Sequence, residues 1–288
     1  MRDAYQVAAV RTAERALMEI VPDGALMARA ATGLASVCGS LLARYPGHVY
    51  GSRVVVLAGS GDNGGDALYA GALLARRGAA VTAIAAGPRA HLGGTAALRA
   101  AGGRVSGDPG DGAAAGDHAD LMDRADLIID GLLGIGGRGG LQEPFAGLAR
   151  QAARARQAGA TVVAVDLPSG IDADTGAVDG PAVRADVTVT FGVIKPGLLI
   201  DPGAGHAGAV ELIDIGLGPY LKDGPCATAP QRDDIRELLP RPGAESDKYR
   251  RGGARRGWHG PGRHCERRRR PGPAGLARDR GYRAPRRG

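Results

Sequence analysis

Aromatic residues are nearly absent from this 288-residue chain: Phe, Trp and Tyr together make up 3%. A core must therefore be filled by Ala, Val, Leu and Ile, whose share brings the hydrophobic content to 44%. Cysteine is as scarce. Cys38, Cys226 and Cys265 show neither a CxxC pair nor metal-ligand spacing, which argues against a disulfide framework or a zinc site and for reduced thiols in a cytoplasm. No apolar run approaches the length of a membrane span, and no signal-peptide core follows the first methionine, so a soluble cytoplasmic protein is expected. The six histidines have no metal-ligand spacing. Lysine is missing from residues 250–288, which instead hold fourteen arginines and two acids. That segment carries +12 against a whole-chain charge of +7, leaving −5 on the rest. A mildly acidic body gives no reason to expect nucleic acid as a partner.

What the chain has in excess is glycine, 49 residues against an average of roughly 7%. The informative cluster follows a short apolar run, Val54-Val55-Val56-Leu57-Ala58, and reads Gly59-Ser60-Gly61-Asp62-Asn63-Gly64-Gly65-Asp66. A buried strand, a glycine turn free to approach a ligand, and then a helix (Ala67, Leu68, Ala70, Leu73, Leu74) would aim free backbone N–H groups at an anion. Gly59-x-Gly61-x-x-Gly64 also fits the dinucleotide fingerprint, but the second strand, Val81 to Ala86, ends in Gly87-Pro88-Arg89. The acid that would hold a ribose is missing there, which counts against an NAD(P)-dependent oxidoreductase.

Strand and helix patterns alternate along the chain. Strands are expected at 53–58, 80–85, 126–130, 161–166, 186–191 and 209–214, with a short edge strand at Arg104-Val105. Helices are expected at 66–77, 92–101 and 141–158, a loop at 107–118, and two further helices ahead of the first strand, over 4–20 and from Asp23 to about Tyr45. The fold class is therefore α/β: a Rossmann-like three-layer fold with a mostly parallel sheet, preceded by two N-terminal helices. In such sheets ligands sit beyond the carboxyl ends of the strands. Two further strands deliver an Asp to that edge: Leu127-Ile128-Ile129-Asp130, followed by the glycine-rich stretch 131–140, and Val162-Val163-Ala164-Val165-Asp166. Asp is common at strand ends and as a helix cap, and Asp66 could cap its own helix. Carboxylates gathered from three strands repel one another, however, and make sense around a cation or in proton chemistry. Lys195-Pro196 follows a strand and could touch a substrate, but lysines are seldom buried, so it is read as an ordinary surface lysine.

Asn63-Gly64-Gly65-Asp66, then Asp130 with its glycine-rich loop, then Asp166-x-Pro168-Ser169-Gly170-x-Asp172, in that order at strand ends, resemble the NAD(P)H-hydrate epimerases, the YjeF N-terminal domain family. The opening helices, with Glu14-Arg15-Ala16-Leu17-Met18 and Gly24-Ala25-Leu26-Met27, are similar too. Asp62 stands where an asparagine is commoner, and Ala67 where a glycine often follows. The resemblance implies a homodimer that interconverts the R and S forms of hydrated NADH or NADPH (NADHX, NADPHX). It also implies a potassium ion, with Asn63, Asp130 and Ser169 as ligands by position. Substrate would be held by Asp62, Asn63, Gly64, Gly65 and Asp66. Gly134, Ile135, Gly136, Gly137, Arg138, Gly139 and Gly140 would wrap its phosphates, and Asp166 would contact the hydrated ring as the catalytic carboxylate. A non-catalytic nucleotide-binding scaffold is the other alternative.

The resemblance covers residues 1–220. Residues 221–245 read as a linker with a short helix from Asp233 to Leu239. Ser246-Asp247-Lys248-Tyr249-Arg250-Arg251-Gly252 resembles the entry to a fused dehydratase domain. Beyond it, Arg, Gly and Pro dominate with almost no aliphatic residues. Residues 246–288 are therefore expected to be a disordered basic tail, read out of frame after Gly252 and without dehydratase activity.

Overall fold

The computed structural model describes residues 1–87, 90–106, 118–137 and 139–239, all in one compact unit, Met1–Leu239. The tail expectation, residues 107–117 of the loop expected at 107–118, and the role expected of Arg138 lie outside the described residues.

The strand β2 (Arg53–Ala58) is buried at every position after Arg53. Successive side chains of a strand point to opposite faces. Val54, Val56 and Ala58 accordingly join one core cluster, and Val55 and Leu57 another. The same alternation holds in β5 (Leu127–Gly131) and β6 (Thr161–Val165), which is why these strands read as continuous apolar runs. With β3 (Ala80–Ala85), β4 (Arg104–Ser106), β7 (Val187–Phe191) and β8 (Ala209–Ile213) they form a seven-stranded sheet in the order β4-β3-β2-β5-β6-β7-β8, every pairing parallel. The helices α1 (Val7–Met18), α2 (Ala25–Arg44), α3 (Asp62–Arg76) and α4 (Leu92–Ala100) bury their apolar residues on one face. The helices α5 (Ala119–Asp123) and α6 (Phe145–Gln157) cover the other. The strand order reverses between β2 and β5, the place in a doubly wound sheet where a ligand crevice opens.

The scarcity of aromatics shows in the packing. α6 presents Ala146, Ala149, Ala152 and Ala155 to the sheet, and α2 presents Ala31, Leu34, Ala35, Cys38 and Leu42 on the opposite face. Among the described residues α2 has the length and mean hydropathy, 1.4, of a membrane span. Its buried face is accounted for by the core it shares with α3 and the sheet.

Several elements differ from expectation. The first helix begins at Val7, because Asp174 Oδ1 accepts the Val7 N–H at 2.8 Å and residues 2–4 are drawn off into a strand. That strand, β1 (Arg2–Ala4), pairs antiparallel with β9 (Ala227–Ala229), inside the segment read as a linker, whose expected short helix is α7 (Arg232–Leu238). α3 starts at Asp62 rather than at 66, so the Asp62–Asp66 motif forms the first turns of a helix and not an open turn. α6 starts at Phe145, since Leu141 N–H is held by Pro181 O at 2.9 Å and Pro144 suits a helix entry. α5 was not expected.

Candidate active site

The carboxyl ends of β2, β5, β6 and β7 deliver the polar groups of the molecule's interior to one edge of the sheet. Among the described residues the buried charged groups are Asp66, Asp130, Asp166 and Lys195. Asp130 lies at the carboxyl end of β5 itself, Asp166 directly after β6, Lys195 in the segment after β7, and Asp66 in the first turns of α3, which follows β2.

Asp130 is fully buried. Its carboxylate accepts Ser169 N–H at 2.8 Å, Ser169 Oγ at 2.7 Å and, more weakly, Leu132 N–H at 3.3 Å. Burial pushes its pKa up to about 6 despite these donors. Ser169 Oγ in turn accepts Leu133 N–H at 2.9 Å and lies 3.2 Å from Leu133 O. Asn63 fixes the other side of this loop: Nδ2 donates to Val165 O at 2.6 Å, and a Cβ placed on Gly134 would fall 2.6 Å from Oδ1. Asn63, Asp130 and Ser169 thus flank Leu133 and Gly134. With Leu133 O they make an all-oxygen donor set carrying one carboxylate, chemistry that suits a hard cation of low charge.

Asp166 sits in the left-handed region, φ 64°, a conformation that costs a non-glycine residue of order 1–2 kcal/mol. The turn swings its side chain toward β7. There Oδ1 accepts Thr190 Oγ1 at 3.0 Å and Phe191 N–H at 3.3 Å and forms an ion pair with Lys195 Nζ. Lys195 is 1% exposed, and Nζ also donates to Phe191 O at 3.0 Å and Thr190 Oγ1 at 3.1 Å. The surface reading of Lys195 is therefore wrong. The base rate for lysine gave way to an ion pair with all three N–H donors used, which is how a buried ammonium is tolerated. Tyr5 N–H, held by Ile194 O at 2.9 Å, and the parallel bridge between Ala4 and Ile194 fix the backbone next to it.

Asp66 is the third carboxylate. It is 8% exposed, and its buried Oδ1 has no hydrogen-bond partner. Burial first, then the charges of Asp166, Asp62 and Glu14, push its pKa up to about 8. Glu14 of α1 is raised as well, by burial, against the lowering influence of Lys195. Glu14 was quoted in the sequence only as part of a similar helix, with no place at the site. Together with Asp62, Asp66, Met18, Met27, Tyr69, His91 and Phe191 it lines a cavity of about 400 Å³.

Some of the glycines serve the protein's own packing. A Cβ on Gly59 would fall 1.9 Å from Leu132 O, and one on Gly64 2.2 Å from Gly59 O. Their freedom lets the protein's own backbone close up between β2 and β5, rather than a ligand. Gly140 packs against the backbone of Gly180 in the same way, at 2.5 Å for a built Cβ, and Gly137 N–H is taken by Gly134 O at 3.0 Å. Asp62, in the first turn of α3, already sets a carboxylate against that helix dipole, so an anion there would meet a like charge. Ile135 O lies 3.5 Å from Arg11 Nη2, which puts a guanidinium beside the loop after β5. Asp172 organises its own loop, its Oδ1 accepting Asp174 N–H, Thr175 N–H and Thr175 Oγ1.

A doubly wound parallel sheet with a buried lysine–carboxylate pair and two further buried carboxylates at its switch point defines a Rossmann-like protein with a polar interior site. Residues 23–197 match the family model described as YjeF-related protein N-terminus, and the chain belongs to that family. It is 45% identical over 253 residues to the bifunctional NAD(P)H-hydrate repair enzyme Nnr of Mycobacterium leprae, covering 88% of this chain and 49% of that one. It is 42% identical over 223 residues to the NAD(P)H-hydrate epimerase of Clavibacter michiganensis, covering 75% and 91%. The chain spans about half the length of the bifunctional relatives it matches. The crystal structure of the yeast protein ynu0 (YNL200c) superposes with a TM-score of 0.62 at 21% identity, covering 78% of this chain and 96% of that one, and shares the fold.

Proposed function

We propose that this protein interconverts the R and S epimers of hydrated NADH and NADPH. The observation that carries the reading is the Asp166–Lys195 pair, set beyond β6 and β7 beside the cavity that Glu14, Asp62 and Asp66 line. Relatives named for NAD(P)H-hydrate epimerisation support it. The centre to be inverted is the ring carbon that carries the added hydroxyl, next to the ring nitrogen. Breaking the C–O bond there, with the hydroxyl leaving as water, develops positive charge on the nitrogen, and water returning to the other face of the ring gives the opposite epimer. A carboxyl group held at that point can give a proton to the departing hydroxyl, stabilise the cation as the carboxylate, and take the proton back from the returning water. Thr190 and the Phe191 N–H orient Asp166, and Lys195 keeps its charge local. No hydride acceptor is needed, which with the missing ribose acid argues against an oxidoreductase. The buried carboxylates argue against an inert scaffold, which would have no use for their desolvation cost. The test is chromatographic: purified protein should bring a single NADHX epimer to the equilibrium mixture far faster than buffer does. A rate equal to the buffer control would overturn the reading.

The reading includes a potassium ion held by Asn63, Asp130 and Ser169, which would supply positive charge beside the buried Asp130 carboxylate and order the loop after β5. It carries its own expectation. A ligand that binds only the folded state raises the melting temperature in proportion to RT ln(1 + [L]/Kd). Potassium chloride should therefore raise the melting temperature of the wild type above that in an equal concentration of tetramethylammonium chloride, and Asp130→Ala should abolish the difference. Equal melting temperatures of the wild type in the two salts would remove the ion. A homodimer working in the cytoplasm completes the reading. It is supported by the resemblance and, for the compartment, by the free thiols Cys38 and Cys226.

A further inference from the structure

The cavity of about 400 Å³ between α1, α2 and α3 has a composition that the reaction alone does not require. Its lining mixes apolar and aromatic side chains, Met18, Met27, Tyr69 and Phe191, with the carboxyl groups of Glu14, Asp62 and Asp66. Carboxylates in a cluster are commonly a metal site, but among the described residues no three His, Cys, Asp or Glu are placed to hold a metal ion. The second observation is the Asp66 carboxyl. It is more than nine-tenths buried, lines this cavity, and has one oxygen with no partner in the protein. A buried polar atom without a partner costs free energy that a bound ligand can return.

We propose that this cavity is a counter-ion pocket for a cationic, nicotinamide-type ring, with Asp66 as its charged partner, and that oxidised nicotinamide nucleotides therefore occupy it in competition with the hydrated substrate. The inference rests on the epimerase reading, which brings a nicotinamide ring to this edge of the sheet. It goes beyond that reading because the hydrated substrate ring is neutral. A flat ring matches the apolar and aromatic part of the lining, and its positive charge matches the carboxyl groups. Without ligand, Asp66 faces Glu14 from α1, Asp62 on its own helix, Asp166 with its partner Lys195 beyond β6, and His91 ahead of α4. Three like charges and burial hold it protonated at neutral pH, with a pKa of about 8. A cation against it reverses the balance. An opposite charge within about 4–6 Å lowers a carboxyl pKa by roughly 1–3 units. Reciprocity gives the ring the same factor in affinity, about 10- to 1,000-fold, once the proton has left for solvent. Binding of a cationic ring should thus release a proton from Asp66 to the buffer, and should tighten as pH rises toward about 8 and level off above it.

The experiment is calorimetric titration of the full chain with nicotinamide mononucleotide in its oxidised form, whose ring is cationic, and in its reduced form, whose ring is neutral. Each titration is run in two buffers of different ionisation enthalpy. At pH 7 the wild type should bind the oxidised form roughly 2- to 90-fold more tightly and release about 0.4 to 0.9 proton, while the reduced form releases none. Asp66→Asn should abolish both the preference and the proton release. Equal or weaker binding of the oxidised form by the wild type would overturn the proposal, as would binding without proton release, and neither result depends on the variant folding. Retention of the preference in folded Asp66→Asn would overturn it too. Epimer equilibration is followed separately. A protein that epimerises but does not prefer the charged ring keeps the epimerase reading and loses this one. A protein that prefers the charged ring but does not epimerise loses the epimerase reading.

Discussion

Asp166→Asn is expected to slow epimer equilibration by about 10²-fold or more while changing substrate affinity much less. The amide preserves shape. Its oxygen can still accept from Thr190 Oγ1 and the Phe191 N–H, the two neutral donors on Asp166 Oδ1. What it loses is the charge opposite a ring nitrogen turning positive and the ability to carry a proton. Both matter more in the transition state than in the ground state, so the loss should fall on kcat and not on KM. Steady-state kinetics on both epimers make the measurement. A variant that keeps near wild-type rates would take Asp166 out of the chemistry.

Lys195→Met has the largest expected effect on stability. The ammonium is removed, and the Asp166 carboxylate is left buried with only neutral donors. Breaking a buried pair from one side costs about 3–5 kcal/mol, a large part of the roughly 5–15 kcal/mol that holds a domain folded. Urea melts should show a midpoint well below wild type. The double variant Lys195→Met with Asp166→Asn should recover part of the loss, because no unpaired charge remains. A single variant that melts with the wild type would show the pair to be solvated in solution, and the claim of a buried pair would fall.

The sequence already made the sheet and its working edge readable. Val54 to Ala58 and Leu127 to Ile129 are apolar without interruption because helices cover both faces, and that pattern survives any choice of neighbours. Asp130 and Asp166 could be placed because a residue that ends such a run must emerge at the carboxyl edge. Lys195 could not. Its burial depends on Asp166 adopting a left-handed φ and on Thr190 and Phe191 of the adjacent strand, contacts that no local pattern records. The one available signal was its position directly after the buried Val193 and Ile194, where an exposed residue would be out of register with the core. Glu14 was missed for a related reason: apart from Arg11 on its own helix, the charges around it, Asp62, Asp166 and Lys195, come from α3 and the segments after β6 and β7, distant in sequence. Gly59 and Gly64 could not be assigned from sequence, because a missing side chain says that something approaches closely, not whether it is a ligand or a carbonyl such as Leu132 O. The strands β1 and β9 have three residues each and no alternation to detect. They exist because each supplies the other's hydrogen bonds.

That two-stranded ribbon has a mechanical consequence. Arg2 lies opposite Ala229, so a pull applied at those two points would act across the strands and open the pairings one after another, rather than shearing them together. The seven-stranded sheet would still be intact when the ribbon parted. The next links to load would be the Tyr5 N–H on Ile194 O and the bridge from Ala4 to Ile194, directly beside Lys195. Tension between the two ends of the ribbon would therefore reach the buried ion pair before it reached the core of the sheet. An optical-trap measurement should find activity failing at a lower force than the sheet itself does.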